Sequence, residues 1–323
     1  MSRRFLYALV LAGLVFAGGA AFVTWRGGSL PALAPPVEEC RATAAGHVVE
    51  LDLEQARYAA LIAATSVRRG MPARAATIAL ATAYQESDLR NIEYGDRDSL
   101  GLFQQRPSQG WGTREEVLDP EHSINAFYDA LERIDGYPTM PVTEAAQEVQ
   151  RSGFPDAYAE HEQDARVLAS ALTGNSRAAF WCTVDDDRDE LSADLDDSGL
   201  TERAAAVRAD LADTFGDLPV GGFAPGGVRT GHMPGSAHYE GRAIDVFVRP
   251  VSVDNKRRGW AIAGYLVAQA DRLGIATVIF DDRIWRVGDP SSDGWLDYHV
   301  PAGSRGDRSI LEHRDHVHVD VSR

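Results

Sequence analysis

Apolar residues fall into three regimes along this chain. Phe5–Val23, FLYALVLAGLVFAGGAAFV, is an unbroken uncharged run. Five later segments carry apolar residues at helical spacing: LDLEQARYAALIAATSVRRG, PARAATIALATAYQESDLR, DPEHSINAFYDALERI, TEAAQEVQRS and PDAYAEHEQDARVLASALTG. Their start and stop signals agree with that spacing. Gly70 and Gly174 end helices, Pro72 opens one, and Asp119 caps another with Pro120 in its first turn. The pattern predicts an all-helical domain over residues 41–182. TVDDDRDELSADLDDS follows, strongly acidic and poor in large apolar groups, and reads as a solvated linker over 183–198. From 199 to 323 the periodicity changes. A helix at 200–215 precedes a Gly/Pro-rich stretch, strand-like RAIDVFV, and a long helix ending at Gly274. ATVIFDDRIWRV and a final DHVHVDV are again strand-like. This alternation predicts an α+β domain.

The first run is close to the ~20 residues that a helix needs to cross a bilayer. Arg3 and Arg4 precede it and only Arg26 follows, so charge bias places the bulk of the chain outside the cell membrane. Residues 1–26 are therefore expected to be a single-pass transmembrane anchor, with 27–40 as a spacer. A cleaved signal is the competing reading, with Ala32–Ala34 as the small-residue site and a secreted product. Export makes an oxidising setting plausible, and Cys40 and Cys182 bracket the helical segment. A disulfide between them is the natural reading, and two separate buried thiols are the alternative. The net charge of -16 argues against a nucleic-acid partner, since phosphate binding needs a basic face.

Candidate chemistry is concentrated in SAHYEGRAID (236–245) and EHRDHVHVD (312–320). His316 and His318 are two apart in a strand-like segment, so they share a face. Asp245 belongs to another strand-like segment, and His238 comes from the turn before it. Two imidazoles and a carboxylate make an ordinary zinc set with a fourth position for water. Gly241 and Ala243 are expected to let loop and strand pass close behind the metal. His232 and His299 are expected to be hydrogen-bonded core histidines.

The pattern Ser-x-His-x-x-Gly-x-Ala-x-Asp with its DHVH closure resembles the zinc D-Ala-D-Ala carboxypeptidases and L-alanoyl-D-glutamate endopeptidases, the LAS and hedgehog-like group. That resemblance implies zinc on His238, Asp245 and His318, with Asp315 as general base and Glu312 as the competing acid. It places His316 beside the site, steadying the oxyanion or the attacking water. Ser236 belongs to the motif as a substrate-side residue, and Arg229 matches a carboxylate-binding position. The chemistry implied is metal-assisted amide hydrolysis.

The helical segment has its own signature in ATAYQESDLRNIEYGDRDSLGLFQQRPSQGWG (81–112). A helix-borne Glu-Ser followed by SLGLFQ resembles the lytic transglycosylases and goose-type lysozymes. The resemblance implies that Glu86 is a glycosidic acid with a raised pKa, and that Gln104 helps to line a sugar groove. The groove-lining Asn-Ala-Gly of that family is absent here, where VQRSGFPDAYAEH supplies only Tyr158. Glu86 as a helix-end residue paired with Arg90 is the plain alternative. The sequence thus predicts a multidomain chain with an N-terminal transmembrane helix, an all-α lysozyme-like domain and a C-terminal α+β zinc metallopeptidase-like domain. The expected activity is peptidoglycan hydrolysis, and a wall-binding scaffold that retains its metal is the alternative.

Overall fold

A computed structural model describes residues 37–323 apart from residue 155. The expected membrane-spanning or signal segment lies outside the described residues, as does most of the spacer. Among the described residues no helix is long and apolar enough to cross a membrane.

The fold is mixed α/β throughout, which corrects the expectation of an all-α lysozyme-like domain. Strands β1 (Glu39–Ala44), β2 (His47–Leu51) and β3 (Phe180–Thr183) form an antiparallel sheet in the order β2-β1-β3. ECRATA looks helical on alanine propensity alone. Pairing overrides that propensity. Ala45 and Gly46 both take positive φ, 50° and 79°, as a tight two-residue hairpin requires. Cys40 and Ala42, then Val49 and Leu51, alternate into the core. Cys40 stands opposite Cys182 in the β1–β3 register, and the two form a disulfide.

Helices α1 (Leu53–Arg68), α2 (Ala73–Ser87), α3 (Arg114–Leu118), α4 (Pro120–Glu132), α5 (Val142–Gln150) and α6 (Glu162–Leu172) complete this part; α1 and α6 pack on the sheet, and α2 packs on both of them. Asp52 closes a capping box with Gln55 at the start of α1, and Asp119 accepts from the Glu121 amide at the start of α4. Phe127 and Tyr128 of α4 are fully buried, as core residues. Residues 185–197 carry no helix or strand and are almost wholly exposed.

Beyond them come α7 (Glu202–Phe215), β4 (Val220–Gly221), β5 (Ala243–Phe247), α8 (Val253–Ala268), α9 (Ala270–Leu273), β6 (Ile275–Phe280), β7 (Arg283–Arg286), β8 (Leu296–Asp297), α10 (Arg308–Leu311) and β9 (His316–Val321). The strands form one antiparallel sheet in the order β4-β5-β9-β6-β7-β8. Alternation in β9 divides its residues between faces. Val317, Val319 and Val321 are buried in the core, at about 1.5–3 kcal/mol each. His316, His318 and Asp320 project from the other side.

Helix α8 packs on α1, α6 and β3 as well as on β6 and β9, and Glu38–Arg323 forms one compact unit. The tryptophans Trp285 and Trp295 join its parts. Their indole N–H groups donate to the carbonyls of Cys182 and Phe180, at 2.9 Å and 2.7 Å. Both indoles therefore serve the free edge of β3.

Candidate metal centre

The β5–β9 register sets Asp245 directly opposite His318. A short 3-10 turn, Ala237–Glu240, delivers His238 to the same point, with Ser236 at its start. His238 Nε2 lies 3.1 Å from His318 Nδ1, and His318 Nδ1 lies 3.1 Å from Asp245 Oδ1. The third side of this triangle, His238 Nε2 to Asp245 Oδ1, is 3.3 Å. Three ligands of a tetrahedral ion with ~2.0–2.1 Å bonds stand about 3.3 Å apart. All three residues are buried. The donor set and its spacing fit a divalent metal.

The outward nitrogens of the imidazoles are also fixed. His238 Nδ1 is 2.8 Å from the Gly222 carbonyl, which can only accept, so Nδ1 carries the proton and Nε2 keeps its lone pair. His318 Nε2 faces Asp320 Oδ2 at 3.3 Å. A carboxylate or carbonyl behind each ligating histidine is the usual support of a metal site. Burial opposes charge on His318, yet the carboxylates of Asp245 and Asp320 raise its pKa to about 9. Burial pushes Asp245 up, but its bonds to His238 and His318 outweigh that and hold it well below the usual carboxylate range.

Gly222 supplies the room. A Cβ there would sit 2.4 Å from His238 Cε1, and its φ is +83°. Gly241, expected from its motif position to clear space behind the metal, does something else: its missing Cβ makes way for Leu195 and the Gly199 carbonyl.

Asp315 is buried with both oxygens engaged. Arg249 Nε donates to Oδ2 at 2.6 Å, and His316 Nδ1 donates to Oδ1 at 2.7 Å. His316 Nε2 then points at Asp245 Oδ1, 3.8 Å away. His313 packs its ring 4.7 Å from that of His316 and 5.7 Å from that of His318. Burial, then the neighbouring histidines, hold it neutral. Glu312 pairs instead with Arg308 and Arg314.

His299 is exposed rather than a core residue. His232 is not one either: its ring stacks on His238, with centroids 3.9 Å apart and planes 25° apart. His232, His238 and Asp245 form a group able to hold a metal ion. Arg229 is exposed on the same loop. Sequence reasoning missed Asp320, Arg249, His313 and Gly222. Asp320 was findable, being two residues past His318 on one strand face.

Glu86 is half-buried near the end of α2 and accepts a 2.8 Å hydrogen bond from the Tyr158 hydroxyl. Burial raises its pKa, and the bonds from Tyr158 and Gln150 pull it partly back. Arg90 turns away to Asp52 and Glu54, which removes the proposed helix-end pair. Ser87 Oγ holds the Leu102 carbonyl and Gln150 Nε2 the Phe103 carbonyl, so SLGLFQ lies against this end of α2. Gln104 bonds the Tyr94 carbonyl. A cavity of about 1040 Å³ opens nearby, lined by Trp111, His122, Arg133 and Gln150 among others.

The comparison with curated proteins gives no match. The family model for the VldE C-terminal domain matches residues 196–309. The matched stretch holds His238 and Asp245 and stops short of Asp315–Asp320. In that part of the chain, the protein is similar to the VldE C-terminal domain.

Proposed function

We propose that this chain is an exported peptidoglycan hydrolase whose C-terminal part cleaves amide bonds of stem peptides, with zinc held by His238, Asp245 and His318. One observation carries the reading: His238 Nε2, Asp245 Oδ1 and His318 Nδ1 converge to 3.1–3.3 Å of one another, each imidazole with its other nitrogen already engaged. The LAS-like pattern of the two motifs adds to it, and the disulfide suits an oxidising compartment.

Bound there, zinc would act as a Lewis acid and make water acidic enough to react near neutral pH. The chain's own groups handle the proton. His316 Nε2 faces the triad with its Nδ1–H fixed on Asp315, so it is oriented to take the proton of the attacking water. Asp315 balances the imidazolium charge, and Arg249 holds the Asp315 carboxylate in place. As the C–N bond breaks, the same proton passes to the leaving amine. This division makes Asp315 the residue that orients the base. Arg229, exposed on the loop before the motif, is available to a substrate carboxylate.

The cavity lined by Gln150, which also bonds Glu86, suits a glycan strand, with Trp111 as a stacking surface and Glu86 as a carboxyl whose pKa burial raises. The deciding assay incubates the zinc-loaded protein with peptidoglycan fragments and identifies the amines released. His318→Ala should abolish release together with the metal. Release that persists in that variant or in excess chelator refutes the assignment.

A further inference from the structure

We propose that His232 is a fourth, displaceable protein ligand of the same metal centre, so that the protein's own loop closes the resting site. The inference rests on the reading of His238, Asp245 and His318 as ligands.

A ring nitrogen of His232, a ring nitrogen of His238 and a carboxylate oxygen of Asp245 all lie within 4.8 Å of one another. The near-parallel stack on His238 keeps the ring beside the triad. What holds His232 is its backbone. The Tyr239 hydroxyl accepts from the His232 N–H at 3.0 Å and donates to the His232 carbonyl. Among the described residues no hydrogen bond uses a ring nitrogen of His232, so the ring is anchored in position with its lone pair unspent. A tetrahedral edge is about 3.3 Å, so a ring shift of about 1–2 Å brings it into coordination.

The loop that carries His232 is built to allow such a shift. Gly226, Gly231 and Gly235 all have positive φ, and a Cβ at any of them would meet nothing within 4 Å. Met233 and Arg229 are exposed on it. Few packed contacts mean a low cost of opening. Three protein ligands and an open position characterise catalytic zinc, and four protein ligands characterise closed sites. His232 decides between these states. Its withdrawal would free the position that a scissile carbonyl or water needs, and a substrate carboxylate on Arg229, three residues away, would draw on the same loop.

Cobalt(II) replaces zinc as a spectroscopic probe of the full chain. His232→Ala should change the visible ligand-field bands of the cobalt-loaded protein and weaken cobalt binding at least about tenfold. His232→Cys gives a positive signal. The native cysteines are both in the disulfide, so a thiolate-to-cobalt charge-transfer band would arise only from residue 232. Unchanged spectrum and affinity in His232→Ala, with no charge-transfer band in His232→Cys, overturn the proposal and leave the three-ligand site standing. Failure of the wild-type chain to bind cobalt at all overturns both.

Discussion

Metal binding at the triad should be a competition with a proton, and its size follows from His318. In the metal-free protein its Nδ1 lies against Asp245 and its Nε2 against Asp320, which raises its pKa from 6.5 to about 9. A metal on Nδ1 must expel that proton. At about pH 7 the proton is bound by about two pKa units, so it costs the metal about 3 kcal/mol, or about 100-fold in affinity. The association constant should therefore climb about tenfold per pH unit from about pH 7 to about pH 9, with about one proton released per metal ion. Calorimetric titration with a chelator-buffered metal, repeated in buffers of different ionisation enthalpy, reads both quantities. Affinity that is flat across this range, or a titration that releases no proton, refutes the ion-paired state of His318.

The same shift has the opposite sign for the metal-free fold. A histidine whose pKa is raised on folding contributes stability that is fully present below about pH 6.5 and is lost as pH rises through about 9. For His318 this is about 3 kcal/mol, and the depressed pKa of Asp245 is the same interaction seen from its partner. Raising the pH should thus weaken the metal-free protein while strengthening metal binding. The gain in melting temperature on adding metal should grow accordingly.

Other perturbations separate support from ligation. Asp320→Asn should cost about 10–100-fold in metal affinity, measured against a competing chelator, with secondary structure retained. Gly222→Ala puts a Cβ 2.4 Å from His238 Cε1 at a φ of +83°. It should displace the ring, abolish tight metal binding, and lower stability by at least about 1 kcal/mol in urea denaturation. Replacing Cys40 and Cys182 together by Ala opens a bridge across 142 residues, worth about 5 kcal/mol on chain entropy. The urea midpoint should fall by the equivalent of about 2–5 kcal/mol while metal affinity holds.

Much of the metal centre is legible in the sequence because it depends on local period. Alternation in DHVHVD puts His316, His318 and Asp320 on one face, and the turn in SAHYEGRAID brings His238 next to β5. What sequence cannot supply is register. Asp245 meets His318 because β5 pairs with β9, across 73 residues of chain, and no periodicity names that partner. Gly222 and Arg249 escape for the same reason, since each acts on a residue far away in sequence. The helices of residues 53–172 follow from spacing and caps, except the short α3, which none of the periodic segments covers. The sheet that belongs with them does not, because ECRATA has the composition of a helix and becomes a strand only when β2 and β3 flank it. His232 is not legible as a neighbour of His238, because a histidine in a Gly-rich loop looks the same in sequence whether it faces a core or stacks on another imidazole.

The disulfide also decides how the molecule would carry load. The chain enters through β1 and leaves through β3, side by side and antiparallel, with Cys40 bonded to Cys182 where the two cross. Tension applied between residue 38 and the sheet that carries the candidate metal centre would pass straight through that covalent bond and on into β3. The two indoles on the Cys182 and Phe180 carbonyls tie β3 to the β7–β8 side of that sheet. Residues 41–181, with Glu86, hang outside the line of force. A protein working on a stretched polymer could thus be pulled from its N-terminal side without its helices unravelling.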